Sequence, residues 1–163
     1  MLGQSEFNIL VDGRAASKIT QGITTEITGE GSSIAPVNDR LAAAVKAHYD
    51  RFKVALDFRT LDQYFARLEK QRPAINVGTF VGAGGLRAYV VGDSQREASA
   101  SELAEMQKLV EAAMTHGALG VSTSLQYVPG RFASTDELVE VAKAARKHGG
   151  IYISHQRSES GQI

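Results

Sequence analysis

Strand-like and helix-like segments alternate along this chain, and that alternation restricts it to folds in which parallel strands are joined by helices. The run Ile23-Thr24-Thr25-Glu26-Ile27-Thr28 is β-branched at five of six positions and predicts a strand. Residues 75–81, 119–123 and 151–155 predict three more. Apolar residues at helical spacing predict helices over 7–18, 40–53, 60–71, 99–116 and 134–148. Thr60 with Gln63, and Ser99 with Glu102, have the spacing of capping boxes. Gly117 stands where a C-terminal glycine cap belongs. The last helix carries Asp136 and Glu137 in its first turn and Lys143, Arg146, Lys147 and His148 in its last, as the helix dipole favours. The glycine-rich run 82–85 reads as a loop, and the pattern leaves the type of 86–91 open.

Four strands are half of an eight-stranded β/α barrel, and a whole barrel typically takes about 250 residues. This chain has 163 residues. Two α/β architectures therefore remain: a small doubly wound sheet, or about half of a (β/α)8 TIM-type barrel. Residues 158–163 follow a strand with no closing helix, which favours the partial barrel, read as a single domain over 1–163.

Lys plus Arg and Asp plus Glu both count 18, so the net charge is zero and no nucleic-acid partner is expected. There is no cysteine, so a metal site here would have to use His, Asp or Glu. No stretch approaches the roughly 18 apolar residues of a membrane span. The first residues, Met1-Leu2-Gly3-Gln4-Ser5-Glu6, lack the basic and apolar regions of a signal peptide. The expectation is a cytoplasmic protein with no membrane partner.

In parallel α/β folds, ligands bind beyond the carboxyl ends of the strands. Glu30, between Gly29 and Gly31, follows the first strand. On pattern alone it is either a solvated loop carboxylate or one turned into a cleft to bind metal. His155 ends the fourth strand, where a neutral imidazole has a fixed direction and suits zinc; a core or surface histidine is the other reading. His48, His116 and His148 lie on or at the ends of helices and read as structural. Gly82-Ala83-Gly84-Gly85-Leu86-Arg87 matches neither a dinucleotide fingerprint nor a P-loop. Gly120-Val121-Ser122-Thr123-Ser124 lacks the final glycine of a nucleophile elbow.

Three segments together carry more than any one residue. Lys18-Ile19-Thr20-Gln21-Gly22-Ile23-Thr24-Thr25, with Gly29-Glu30-Gly31 and Ala35-Pro36, resembles the N-acyl-D-amino-acid deacylases (D-aminoacylases) of the amidohydrolase superfamily. So do the run 117–130, with Ser122-Thr123-Ser124-Leu125-Gln126-Tyr127, and the run 149–159, with Ser154-His155-Gln156-Arg157-Ser158-Glu159. The resemblance runs in order over nearly the whole chain.

The resemblance implies a metal-dependent (β/α)8 barrel that hydrolyses an N-acyl-D-amino acid, a small-molecule substrate, to a carboxylate and a D-amino acid. One or two zinc ions would activate the water. It further implies that Glu30 stands where the family has a metal-ligating Cys, that His155 matches a strand-end metal ligand, and that Tyr127 matches a substrate-contacting tyrosine. The family's first strand ends in His-x-His; here Leu2 and Gln4 take those places, so Gln4 is a remnant of that site. A loop histidine of many relatives is Ala83 here. The family's next histidine ligand and its catalytic aspartate, the general base, would fall beyond Ile163. The chain alone is therefore expected to be inactive, and either to form a homo-oligomer or to belong to a longer polypeptide. A related amidohydrolase acting on cyclic amides or dipeptides, and a catalytically silent association module, are the competing readings.

Overall fold

The computed structural model describes residues 2–160. Among the described residues, five parallel strands are interleaved with seven α-helices: α1 (Glu6–Val11), α2 (Ala16–Ile19), β1 (Thr25–Thr28), α3 (Asp39–Arg51), α4 (Leu61–Gln71), β2 (Asn76–Thr79), β3 (Val81–Gly82), α5 (Ala83–Val90), α6 (Ala100–Thr115), β4 (Gly120–Ser124), α7 (Thr135–Arg146) and β5 (Ile151–His155). No helix among the described residues is long and apolar enough to cross a membrane.

The strands form one row. Leu2 bridges in parallel to Ile27, so the chain's first residues take the place beside β1. β1 pairs with β2, and β3 pairs with β4, which pairs with β5. The single strand expected over 75–81 is divided at Phe80. Its first part pairs outward with β1 and its second with β4, and the Leu119 N–H donates to the Thr79 carbonyl at 2.9 Å across the join. His155 thus ends the fifth place in the row, one beyond the fourth strand counted in the sequence, because Leu2 holds the first place.

Three other expectations are corrected. The helix over 7–18 is two short helices. The Asp12 carboxylate accepts the Arg14 backbone N–H at 3.0 Å and pairs with its guanidinium, and Ala15 adopts φ +45°, so the backbone turns between them. Thr60 does not close a capping box: its hydroxyl donates to Asp62 Oδ1, while Gln63 Oε1 accepts from the Arg59 N–H. The run 82–85 is not a loop, since α5 starts at Ala83 with Gly82 as its N-cap. Those glycines serve closeness of backbones. A Cβ on Gly82 would lie 2.3 Å from Ser32 Cα, and one on Gly84 would lie 2.7 Å from the Gly31 carbonyl. The capping box at Ser99 and Glu102 is formed as expected.

The helices cover one face of the row. Tyr64 and Leu68 of α4, Leu86 of α5, Met106 and Val110 of α6, and Val141 and Ala144 of α7 join Val81 and Val121 in a buried cluster. Each large side chain removed from water contributes about 1.5–3 kcal/mol. This packing pins the strands, and their carboxyl ends carry the loops described next.

Candidate metal and substrate site

One cavity, of about 520 Å³, opens at the carboxyl ends of the strands. Gln4, Glu30, Tyr127 and His155 all line it, with Glu6, Ser124 and the glycines Gly31, Gly84 and Gly85. The four residues singled out in the sequence, spread over 4–155, thus share one site.

Glu30 sits at the tip of the loop after β1. Gly29 has φ +88° and Gly31 has φ +70°, left-handed values that a residue with a side chain rarely adopts. The fully buried Ser122 hydroxyl accepts the Gly31 N–H at 3.0 Å and donates to the Gly29 carbonyl. The carboxylate between them is thereby held toward β5. Gln4 Nε2 donates to Glu30 Oε2 at 3.3 Å.

His155 ends β5, in register with Ser124 at the end of β4. Its Nδ1 stands 3.8 Å from Glu30 Oε1 and 3.4 Å from Ser124 Oγ. Its Nε2 stands 3.0 Å from Glu159 Oε1. The His155 and Glu30 side chains are both about a quarter exposed, at 24% and 27%. Both are reachable from the cavity, yet neither is free in solvent. The Tyr127 ring meets the imidazole edge-on, with centroids 5.8 Å apart, and stays 58% exposed at the cavity mouth.

Glu6, on α1, borders the same cavity. Burial pushes its carboxyl above the usual glutamate range, against backbone N–H groups that favour the charged form. Its Oε2 has no hydrogen-bond partner. Burial likewise pushes the nearby Tyr49 hydroxyl up to about 12.

Among the described residues, no group of three or more His, Cys, Asp or Glu side chains is gathered for a metal. Two donors are present, and they fit zinc. Tetrahedral oxygen and nitrogen ligands at about 2.0–2.2 Å from a zinc ion stand about 3.4 Å from one another. Glu30 Oε1 and His155 Nδ1 are within a few tenths of an ångström of that separation. The first-strand places hold Leu2 and Gln4; Leu2 has no donor, and the Gln4 amide is turned to Glu30 through its N–H.

Ser122 and Glu6 were not among the sequence candidates. Gly120, Ser122 and Ser124 alternate along a strand whose other residues are apolar or Thr, and that small-polar alternation is the signal that marks the strand face turned to the site. Glu6 carries no comparable signal.

No family model matches the chain. It is 39% identical over 147 residues to a D-aminoacylase of Alcaligenes xylosoxydans xylosoxydans, a match covering 90% of this chain and 30% of that protein. In fold it superposes on a D-aminoacylase described for the functional role of its binuclear metal center, with TM-score 0.84 and 34% identity over 98% of this chain and 34% of that one. It superposes similarly on an N-acyl-D-glutamate deacylase from Bordetella bronchiseptica, complexed with zinc and a phosphonate that mimics the tetrahedral intermediate: TM-score 0.81, 33% identity, 98% of this chain and 34% of that one. The chain thus spans about a third of the proteins it matches. Over that third, the resemblance to the D-aminoacylases holds in sequence and in fold.

Proposed function

We propose that this chain forms the strand-one-end to strand-five part of a (β/α)8 metallo-amidohydrolase barrel acting on N-acyl-D-amino acids. One observation carries the reading. Glu30 and His155, far apart in sequence, meet at 3.8 Å in the cavity that also holds Gln4 and Tyr127.

In this reading Glu30 Oε1 and His155 hold one zinc ion. Bound there, zinc would lower the pKa of a water and polarise the acyl carbonyl. The chain's own residues supply the frame. Ser122 fixes the Glu30 loop, and β5 fixes the imidazole. Gln4 keeps the second carboxylate oxygen of Glu30 occupied by an N–H, which favours one ion over two at this end. Tyr127 presents an exposed ring beside His155 for the substrate's acyl group or side chain. Catalytic zinc takes three protein ligands and an open position. The described residues supply two, so the chain alone is expected to bind zinc without turnover. The edge of β5, where Ile151 and Tyr152 are 59% and 43% exposed, is where a further strand would add.

Elemental analysis of the purified chain beside His155→Ala tests the reading. Near-stoichiometric zinc that is lost in the variant supports it, and no zinc in either protein overturns it. A polypeptide extended to the length of the relatives, offered N-acyl-D-amino acids, their L-isomers and cyclic imides, tests the substrate class. Turnover of the imides alone would move the assignment to a cyclic-amide hydrolase.

A further inference from the structure

We infer that Glu159 is the positioning residue of His155, holding the ring proton on Nε2 so that Nδ1 keeps its lone pair toward the cavity. The inference rests on the zinc reading only for its consequence, since the geometry stands without a metal. Glu159 Oε1 lies 3.0 Å from His155 Nε2, and a carboxylate accepts only. The neutral imidazole therefore carries its proton on Nε2. That leaves a lone pair on Nδ1, the nitrogen 3.8 Å from Glu30 Oε1 and 3.4 Å from the Ser124 hydroxyl, which then donates to it. With the proton on Nδ1 instead, Nε2 and the Glu159 carboxylate would face each other as two acceptors 3.0 Å apart.

The placement follows from the chain. Glu159 comes four residues after His155, and the segment between them turns back on itself. Arg157 in that segment donates to the carbonyls of Arg131 at 2.9 Å and Ala133 at 2.6 Å, which ties it to the loop after β4. A metal-ligating histidine commonly donates its other ring N–H to a carboxylate or carbonyl. That partner sets the tautomer and raises ligand basicity, and its loss typically weakens metal binding 10–100-fold. Glu159 reaches the imidazole from the side opposite Glu30, where such a partner acts. Its own side chain is 74% exposed and stays outside the cavity, so its effect on a metal would pass through the ring.

The test uses the metal-free chain first, labelled with 15N in histidine and read at the alkaline end of a pH series, where its spectrum no longer changes with pH. His155→Ala assigns the resonances. The expected spectrum shows a pyrrole-like Nε2 and a pyridine-like Nδ1 for His155. Glu159→Ala should mix the two tautomers, and Glu159→Gln, whose amide oxygen still accepts, should restore the wild-type pattern. A pyrrole-like Nδ1 in the wild type, or an unchanged spectrum in Glu159→Ala, overturns the inference. Zinc titration of the same three proteins then reads the consequence: about 10–100-fold weaker binding in Glu159→Ala, with recovery in Glu159→Gln. A wild-type chain that shows the Nε2–H tautomer and takes up no zinc would overturn the metal reading and leave the role of Glu159 standing. Equal zinc affinity in all three would overturn that role at the metal.

Discussion

Ser122 Oγ accepts the Gly31 N–H at 3.0 Å and at the same time donates to the Gly29 carbonyl, so one buried hydroxyl of β4 grips the backbone on both sides of Glu30. Neither backbone group can turn to water instead. Ser122→Ala strands a donor and an acceptor, and each buried unsatisfied group costs about 1–3 kcal/mol. The expected outcome is a destabilisation of about 2 kcal/mol or more in urea unfolding, together with weaker zinc binding. Unchanged zinc affinity in a folded Ser122→Ala protein would show that the Glu30 loop holds its shape without the clamp.

Both glycines beside Glu30 are closely hemmed in, and Gly31 is the one that meets the strand end next to His155. Gly31 has φ +70°, and a Cβ there would lie 2.2 Å from Ser124 Cβ, next to His155. Gly22 has a comparable φ of +76° and nothing within 4 Å of a Cβ. Gly22→Ala should therefore cost only the left-handed strain, about 1–2 kcal/mol. Gly31→Ala should cost more, and should abolish zinc uptake by moving Glu30 away from His155. Thermal unfolding of the pair of variants reads the difference; equal losses would mean that Ser124 yields freely.

Much of this arrangement was legible because it rests on local signals. The Ser99–Glu102 capping box, the β-branched run at β1 and the acid-first, base-last charge order of α7 are all encoded within a few residues, and all three elements form. The strand ends then pointed to Glu30 and His155, since parallel sheets bind ligands there. What stayed hidden depends on partners distant in sequence. Gly82, Gly84 and Gly85 look like a flexible loop until the backbone of 31–32 is seen packed on them. The break at Phe80 shows only in the pairing, since residues 76–79 bond to β1 and residues 81–82 to β4, partners that lie far off in sequence. Thr60 spends its hydroxyl on Asp62, a contact the box spacing does not exclude.

Arg87 and Glu137 form an ion pair at 2.5 Å between α5 and α7, with side chains 0% and 7% exposed. Arg87 also donates to the Arg96 carbonyl, so it joins three segments behind the cavity wall. Removing one partner leaves a buried charge alone, which typically costs 3–5 kcal/mol. Glu137→Ala is expected to lose about that much in urea unfolding. The double variant Arg87→Met, Glu137→Leu should recover most of it, because the charge that needed a partner is gone. A Glu137→Ala protein within about 1 kcal/mol of wild type would mean that water reaches the pair.

Glu6 gives the fold a pH dependence whose sign is set by its burial. Its folded pKa is raised above the unfolded value, so the folded state favours the protonated carboxyl. That contribution to stability is fully present below the unfolded value, about pH 4.3, and is lost as pH rises through the folded pKa. Above that folded pKa the carboxylate is charged and partly desolvated, with one oxygen unpartnered. Glu6→Gln should thus raise the Tm there, and the gain should shrink to nothing below the unfolded pKa. A pH-independent difference between the two proteins would place the effect in packing instead of charge.

Arg157 ties the loop after β4 to the segment that follows the histidine strand. Its guanidinium donates through Nη1 to the Arg131 carbonyl and through Nη2 to the Ala133 carbonyl, bracketing the end of the segment that carries Tyr127. Two parallel donors of a planar fork fix direction as well as distance, which a lysine ammonium does not reproduce. Arg157→Lys should keep the charge and lose the bracket. Residues 126–133 are then expected to exchange their amide hydrogens faster, while β4 and β5, whose ladder the change leaves intact, keep their protection. In a polypeptide long enough for turnover, the same substitution should raise KM more than it lowers kcat, because the proposed function has Tyr127 hold substrate and His155 hold metal. Unchanged exchange across 126–133 would show that the 3-10 turn over Gly130–Phe132 orders the loop on its own. Faster exchange in β5 as well would show that the bracket supports the strand, and with it His155, before it supports Tyr127.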